Sequence, residues 1–290
     1  MKKSFSMVVA ALLAVTTLAF SACGGAEKKD LSTAKSLADL KGARISAQSG
    51  TFHESARLQI EDVQGQIYDS FDAMYIALNS GALDGYIAEE PTAITLCYKN
   101  SSLGYVPLIN NDTGFSATDA DTALAVGCKK GSDWTETINP VLQTITTEQR
   151  SALMQEIVRA NADEVVESFS VANEEPAQTT GVLKVAMECA YAPFNWTQRD
   201  DKNGAVAISG AGMSGMYANG YDVQIAKYVA NALGLKLEIY SSKWESLIPG
   251  VQAGTYDLII AGMSPTAERM EEIDFSDIYY SSNLVVIYKK

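Results

Sequence analysis

One histidine, His53, serves a chain of 290 residues. Histidine is the commonest ligand for zinc and the usual base at neutral pH, so its scarcity argues against a zinc site. No Ser–His–Asp or Cys–His set is visible, although carboxylate chemistry needs no histidine and stays open. Cysteine is sparse as well. Cys23, Cys97, Cys128 and Cys189 show no CxxC spacing. A Cys97–Cys128 disulfide and free buried thiols are both open readings outside the cytoplasm. Positive charge is short: 22 Lys and Arg face 35 Asp and Glu, a net charge of −13. Nucleic-acid binders carry a basic face, so that class is disfavoured. Beyond the N-terminus no apolar run approaches the length of a membrane span.

What is present begins with a leader. MKKSFS is basic, and residues 7–20, MVVAALLAVTTLAF, form an apolar run too short to span a bilayer comfortably. FSAC, Phe20 to Cys23, resembles a bacterial lipobox. That resemblance implies cleavage before Cys23, a lipid on its sulfur, and work outside the cytoplasm. Residues 24–36 read as a flexible polar tether.

From Leu37 onward short strands alternate with helices, the arithmetic of an α/β protein with parallel strands and crossover helices. ARISAQ, GQIYDSF, ALDGYIAEEP, YVPLIN and TALAVGCKK read as strands. FHESARLQIEDV, DAMYIALNSG and TAITLCYKN read as helices. Pro91 is expected to end its strand. Two helical stretches follow, DWTETINPVLQTI and TTEQRSALMQEIVRANADEVVESF, the second capped by Thr146 or Thr147. Residues 171–181 have no apolar period and read as a linker. The pattern then restarts: VLKVAME, LKLEIYS, YDLIIAGM and LVVIYKK as strands, YDVQIAKYVANALG and WESLIPGVQAG as helices, with Gly234 ending the first of these. GAGMSG, Gly210 to Gly215, is a literal GxGxxG. It lacks an adjoining helix and reads as a long hairpin loop, not a nucleotide site.

In open α/β sheets, ligands sit at the carboxyl ends of strands. Those ends offer Glu188, Tyr191 and Phe194; Trp244; Gly262, Ser264, Thr266 and Arg269; Ser49, Gly50 and Thr51; and Glu89 with Glu90. The set holds donors for a carboxylate, acids for an ammonium, and aromatic walls. A zwitterion with an apolar middle fits it. Arg269 is the natural carboxylate clamp, because its planar fork bonds both oxygens together. The competing reading is a helix-surface arginine paired with Glu268 or Glu272. His53 reads as a partly exposed loop residue.

VLKVAMECAYAPFNW and the stretch from GYDVQIAKY to NLVVI, with AGMSPTAER, FSDIYY and AYAPF its most specific parts, closely resemble the first lobe of polar amino-acid-binding proteins. These are the bilobal solute receptors, family 3, of ABC importers. SLADLKGARISAQSGTFHES and ALNSGALDGYIAEEPTA resemble the second lobe, and TALAVGCKKGSD with its helices the return crossing and terminal helices. The resemblance implies a type II periplasmic-binding-protein-like fold: two α/β lobes joined by a hinge. The lobe order is the reverse of the family's. The expected organisation is signal peptide 1–23; tether 24–36; second lobe and return hinge strand 37–131; terminal helices 132–170 packing on the first lobe; linker 171–181; first lobe 182–290, ending at a hinge strand. This order implies circular permutation cut at one hinge crossing, leaving one covalent crossing and a wider open ensemble. Two half-receptors from a tandem array are the rival.

By the same resemblance, Arg269 clamps an α-carboxylate with Ser264 and the backbone at Gly262, and Thr51 approaches from the other lobe. Glu89 stands where an aspartate usually holds the α-ammonium. Tyr191 and Trp244 form aromatic walls. Glu188 lies near the ligand's distal end and hints at a cationic side chain. Phe52 stands where a threonine is common, and the loop at 209–220 is longer than usual; both put specificity in doubt. The implied partners are an L-amino acid and an ABC permease, with membrane contact through the lipid anchor only, no nucleic acid, no cofactor or metal, and a monomeric state. The implied activity is binding by closure of the lobes, not catalysis. A ligand-sensing lipoprotein and a dehydratase-like enzyme on the same fold are the alternatives.

Overall fold

The structure is a computed structural model and describes residues 28–290. The leader, the lipobox at Cys23 and the start of the tether lie outside the described residues. Two sheets organise the chain. The smaller has the order β1-β2-β13-β3, from β1 (Ile45–Ser46), β2 (Gly85–Glu89), β13 (Leu284–Lys289) and β3 (Leu103–Val106). The larger joins β12 (Ile273–Ser281), β4 (Ala123–Lys129), β11 (Leu258–Ile259), β5 (Val182–Met187), β10 (Lys236–Ser241), β8 (Val206–Ser209), β9 (Tyr217–Asn219), β7 (Asn195–Gln198) and β6 (Ala190–Tyr191), in that order.

Strand burial follows position. β4 reads ALAVGCK and is buried through Cys128, as a strand covered on both faces demands. It runs antiparallel to β11 and β12 on either side. β11, β5, β10 and β8 are mutually parallel, each entered through a crossover. GAGMSG lies in the loop of an antiparallel hairpin, with Val206 opposite Ala218 and Ala207 opposite Tyr217, as the sequence reading expected.

The helices are α1 (Phe52–Arg57), α2 (Phe71–Ser80), α3 (Glu90–Lys99), α4 (Trp134–Gln143), α5 (Thr147–Asn161), α6 (Tyr221–Ala232), α7 (Trp244–Gln252) and α8 (Ala267–Glu272). Their ends follow local chemistry. The Ser70 hydroxyl caps α2 from Ala73 N at 3.3 Å, and Gly81 closes it at φ 81°. Thr146 and Gln149 form a reciprocal capping box at α5.

Several sequence expectations change here. GQIYDSF is not a strand; only isolated parallel bridges, Arg44 to Gln64 just before it and Gln48 to Tyr68 within it, tie it to the residues flanking β1. α1 stops at Arg57, well short of Val63, because the Arg57 side chain folds back onto the carbonyls of Ile45, Gln64 and Gly65. Pro91 opens a helix rather than closing a strand, where its fixed φ suits the first turn. The tether does not reach residue 36: Leu31 is 2% exposed in the small-sheet core, and Lys29 N donates to Asp84 Oδ1 at 3.1 Å.

The chain passes between the sheets twice, from β3 to β4 through residues 107–122 and from β12 to β13 through Ser282 and Asn283. A single covalent crossing was expected. Leu284–Lys289 does not stop at the hinge; it runs antiparallel between β2 and β3 in the middle of the small sheet. The two crossings are also laced together. Asn110 Nδ2 donates to Ser282 O at 3.2 Å, and Leu284 N donates to Asn110 Oδ1 at 3.1 Å. Asn110 N donates to Asn283 Oδ1 at 3.3 Å. The hinge therefore keeps two covalent strands and a polar clasp, and the widened open ensemble loses its physical basis.

Candidate functional site

The facing surfaces of the two sheets meet at the strand ends. β2 delivers Glu89 at its carboxyl end, with α1 beside it, and the segment after β11 delivers Gly262, Ser264 and Arg269. A cavity of ≈ 20 Å³ lies between them, lined by Gln48, Thr51, Phe52, His53, Phe71, Glu89, Tyr191, Trp244, Gly262, Ser264 and Arg269. That is room for about one water, so a ligand enters only if the lobes part. Seven of the eight ligand residues expected from sequence line this cavity; Glu188 does not.

Arg269 is half-buried. Nη1 donates to Ser264 O at 3.0 Å and Nη2 donates across the lobes to Gly50 O at 3.0 Å. Its guanidinium carbon sits 5.1 Å from the centroid of the Trp244 ring. Burial pushes its pKa down to about 10, with the Glu268 charge opposing, and it stays charged at neutral pH. It takes part in no ion pair among the described residues. The surface pairing with Glu268 or Glu272 is thus not adopted. Trp244 Nε1 donates to the same Gly50 carbonyl at 3.2 Å, so one oxygen latches both the cation and its aromatic wall.

Other predicted donors are engaged within the protein. Thr51 Oγ1 donates to Gln48 O at 2.8 Å. Gly262 N donates to Tyr279 OH at 3.2 Å and so does not point a free N–H into the cavity. Tyr279 OH in turn donates to Asp222 Oδ1 at 2.8 Å, and Asn195 Nδ2 donates to Asp222 Oδ2 at 2.8 Å. Cys189 N donates to Asn195 Oδ1 at 2.8 Å, which fixes the turn that carries Tyr191. Burial raises the Asp222 carboxyl to about 6 against the pull of these donors. Asp222, Asn195 and Tyr279 were missed from sequence: nothing in a helix-opening YD or a strand FSDIYY says that they meet.

Gly262 has φ 62°, and a Cβ there would lie 3.1 Å from the Tyr191 ring. Gly262→Ala is expected to lower stability by about 1–2 kcal/mol through strain and displacement of Tyr191, read as a shift in urea midpoint.

His53 is a correction. It is 6% exposed in α1, and its Nε2 lies 2.9 Å from Glu89 Oε1. Phe71 was also unforeseen; it stacks on Tyr191 across the lobes, ring centroids 4.1 Å apart and planes within 5°.

Glu188 lines a separate cleft of ≈ 860 Å³ with Phe71, Asp72, Tyr86, Tyr191 and Trp196. The Phe71–Tyr191 stack stands between the two spaces, since both rings line both. Gln48 Nε2 reaches Glu188 from the opposite lobe at 3.2 and 3.3 Å. Burial raises the Glu188 carboxyl to about 7, with the charges of Glu245 and Asp72 adding and the Gln48 bond opposing.

Cys97, Cys128 and Cys189 are free thiols. Among the described residues no cluster of three or more His, Cys, Asp or Glu is arranged to hold a metal. No helix among them is long and apolar enough to cross a membrane.

Residues 183–290 match the model of the bacterial extracellular solute-binding proteins, family 3. The arginine-binding extracellular protein ArtP of Bacillus subtilis is 39% identical over 71 residues, 24% of this chain and 28% of that protein. The L-cystine-binding protein TcyA of Bacillus subtilis is 32% identical over 110 residues, 38% of this chain and 35% of that protein. A crystal structure of the substrate binding protein of an amino acid ABC transporter aligns with 38% identity over 34% of this chain and 39% of its own, at a TM-score of 0.29. The chain spans 28% of the Bacillus subtilis ArtP and 35% of its TcyA, well under half the length of these curated relatives.

Proposed function

We propose that this chain is an extracytoplasmic receptor that binds an L-amino acid by closure of its two lobes and presents it to an ABC permease. One observation carries the reading. Arg269 and Glu89, a cation without an ion pair and a buried acid, arise from opposite lobes and line one closed cavity. A zwitterion offers each of them its opposite charge, so its binding rewards the closed state over the open one. The family match over residues 183–290 supports the ligand class. The ligands for which these relatives are named, arginine and L-cystine, are both polar amino acids.

When the lobes part, Arg269 gives up the Gly50 carbonyl and is free to take the ligand carboxylate; on closure Trp244 and Tyr191 exclude water and strengthen the polar bonds. Glu188, one aromatic stack away, would meet the distal end of a long cationic side chain. The lipidated Cys23 would hold the receptor at the membrane. The lobes would follow one another in permuted order within one receptor: Lys28 Nζ donates to Lys289 O at 3.4 Å, so the two ends of the described chain already adjoin.

Calorimetry on residues 24–290 with Cys23 replaced, against the twenty amino acids, ornithine and cystine, tests the reading. A reordered chain, with residue 290 joined through a short linker to residue 28 and new ends within 171–181, is the second arm. Both are expected to bind the same amino acid with matching affinity. A folded monomer that binds none of the panel in either order overturns the receptor reading; binding only after reordering overturns the permuted one.

A further inference from the structure

The cavity between Arg269 and Glu89, at ≈ 20 Å³, has room for about one water, while ≈ 860 Å³ lies open one ring away. The partition is Phe71. It is 8% exposed, lines both spaces, and lies flat on Tyr191 from the opposite lobe. With centroids 4.1 Å apart and planes within 5°, it covers that face of the Tyr191 ring, so nothing else stacks there while Phe71 stays.

The two rings are not equally fixed. Tyr191 sits in a turn pinned by the bond from Cys189 N to Asn195 Oδ1. Its ring leans on Phe194, centroids 5.1 Å apart, and on the backbone of Gly262, where a Cβ would lie 3.1 Å from it. Phe71 is the first residue of α2, and its other ring neighbours, His53 and Tyr86, meet it edge-on at 6.0 and 6.5 Å. Uncovering Tyr191 therefore falls to Phe71, by a rotamer change or by parting of the lobes.

Two buried polar atoms mark the path that this uncovers. Tyr191 OH has no hydrogen-bond partner. Neither has Thr92 Oγ1, 3% exposed, on a residue that lines the large cleft beyond the stack. Buried polar groups otherwise find partners almost without exception. The closed, ligand-free arrangement thus leaves polar groups unmet on both sides of Phe71.

Resting on the amino-acid-binding reading, we propose that Phe71 is an internal competitor for the ligand's side chain, and through this a specificity-determining residue. In the ligand-free closed chain its ring holds the seat on Tyr191. An amino acid with a short side chain leaves it seated. Every longer side chain must evict it, and only one that is flat or polar enough to stack on Tyr191 and reach the cleft repays the loss. The substrate class is then an amino acid with a long side chain and a planar or polar end.

Phe71→Ala vacates the seat, and Phe71→Leu keeps apolar cover without a flat ring. Both are titrated by calorimetry with the twenty amino acids beside the unaltered chain. The tightest ligand with a side chain longer than that of alanine is expected to bind Phe71→Ala about tenfold more tightly than the unaltered chain, the order of one aromatic stack. Phe71→Leu is expected to show a smaller gain of the same sign. Alanine is expected to bind the variants no better than the unaltered chain. The sign is decisive, because a structural defect weakens binding and the loss of a competitor strengthens it. A long ligand bound equally or more weakly by both variants makes Phe71 a fixed wall and overturns the proposal, while the receptor reading stands. A gain shared equally by alanine makes the stack a closure latch without selectivity and overturns it too. Binding of a long ligand by the variants alone counts as the expected gain. If neither the unaltered chain nor a variant binds any amino acid, the receptor reading falls and the competitor with it. Should Phe71→Ala not fold, Phe71→Leu alone decides.

Discussion

Arg269→Ala is expected to remove measurable amino-acid binding, a loss of at least a hundredfold to a thousandfold by calorimetry. Arg269 is the one Lys or Arg side chain lining the cavity. A half-buried, planar donor that bonds a carboxylate bidentately is among the costliest groups to delete, roughly 2–5 kcal/mol when its partner is left buried and unpaired. The variant should also separate binding from closure. Arg269 Nη2 and Trp244 Nε1 share the Gly50 carbonyl, so one of two latches survives without the arginine. The ligand-free variant is therefore expected to keep its fold, with a melting temperature only a few degrees lower. An Arg269→Lys variant carries the same charge without the fork and should recover only part of the affinity. Binding retained within threefold by Arg269→Ala would move the carboxylate site elsewhere.

The second large effect is expected at Glu188, and its sign is opposite to that of an ordinary ion-paired acid. Burial raises its carboxyl to about 7 in the folded chain, above the ordinary glutamate value of 4.5. Between those values the folded chain holds a proton that the unfolded chain has released. Stability therefore falls as pH rises through this window and stays low above it. Asp222, raised to about 6, pulls the same way from pH 4 upward. Glu188→Gln removes the Glu188 share and should stabilise the ligand-free protein at pH 8 by on the order of 1–3 kcal/mol, with little change at pH 5. Urea midpoints at the two values check this; equal gains at both would mean that titration of Glu188 is not the cause. Where the ligand carries a distal cation, its approach lowers the Glu188 pKa. Binding then releases a proton and weakens between pH 7 and 5. Calorimetry in buffers of different ionisation enthalpy reads that proton directly. Glu188→Gln should then erase the preference for arginine, lysine or ornithine over neutral side chains. A neutral preferred ligand with pH-independent binding would remove Glu188 from the site.

Local signals carried far along this chain. Apolar runs such as ALAVGC and LVVI can be read as buried strands because burial on both faces requires continuous hydrophobicity. Gly81 and Thr146 marked helix ends through backbone chemistry that acts within a few residues, whereas Ser70, the cap of α2, was read as part of a strand. Arg269 and Glu89 were legible as candidates because strand carboxyl ends are where an α/β sheet exposes side chains.

The sequence by itself determined the α/β alternation, the helix ends at Gly81 and Thr146, and which charged groups stand at strand ends. It did so because each depends on neighbours a few residues apart. Tertiary structure alone decided the rest. It put His53 against Glu89, 36 residues away, and turned an expected loop residue into part of a sealed pair. It laid Phe71 on Tyr191 and so divided the Glu188 cleft from the Arg269 cavity. It carried Leu284–Lys289 past the hinge into the small sheet, which keeps both crossings covalent. These pairings join residues far apart in the chain, where the free energy of burial, not local preference, selects the partner.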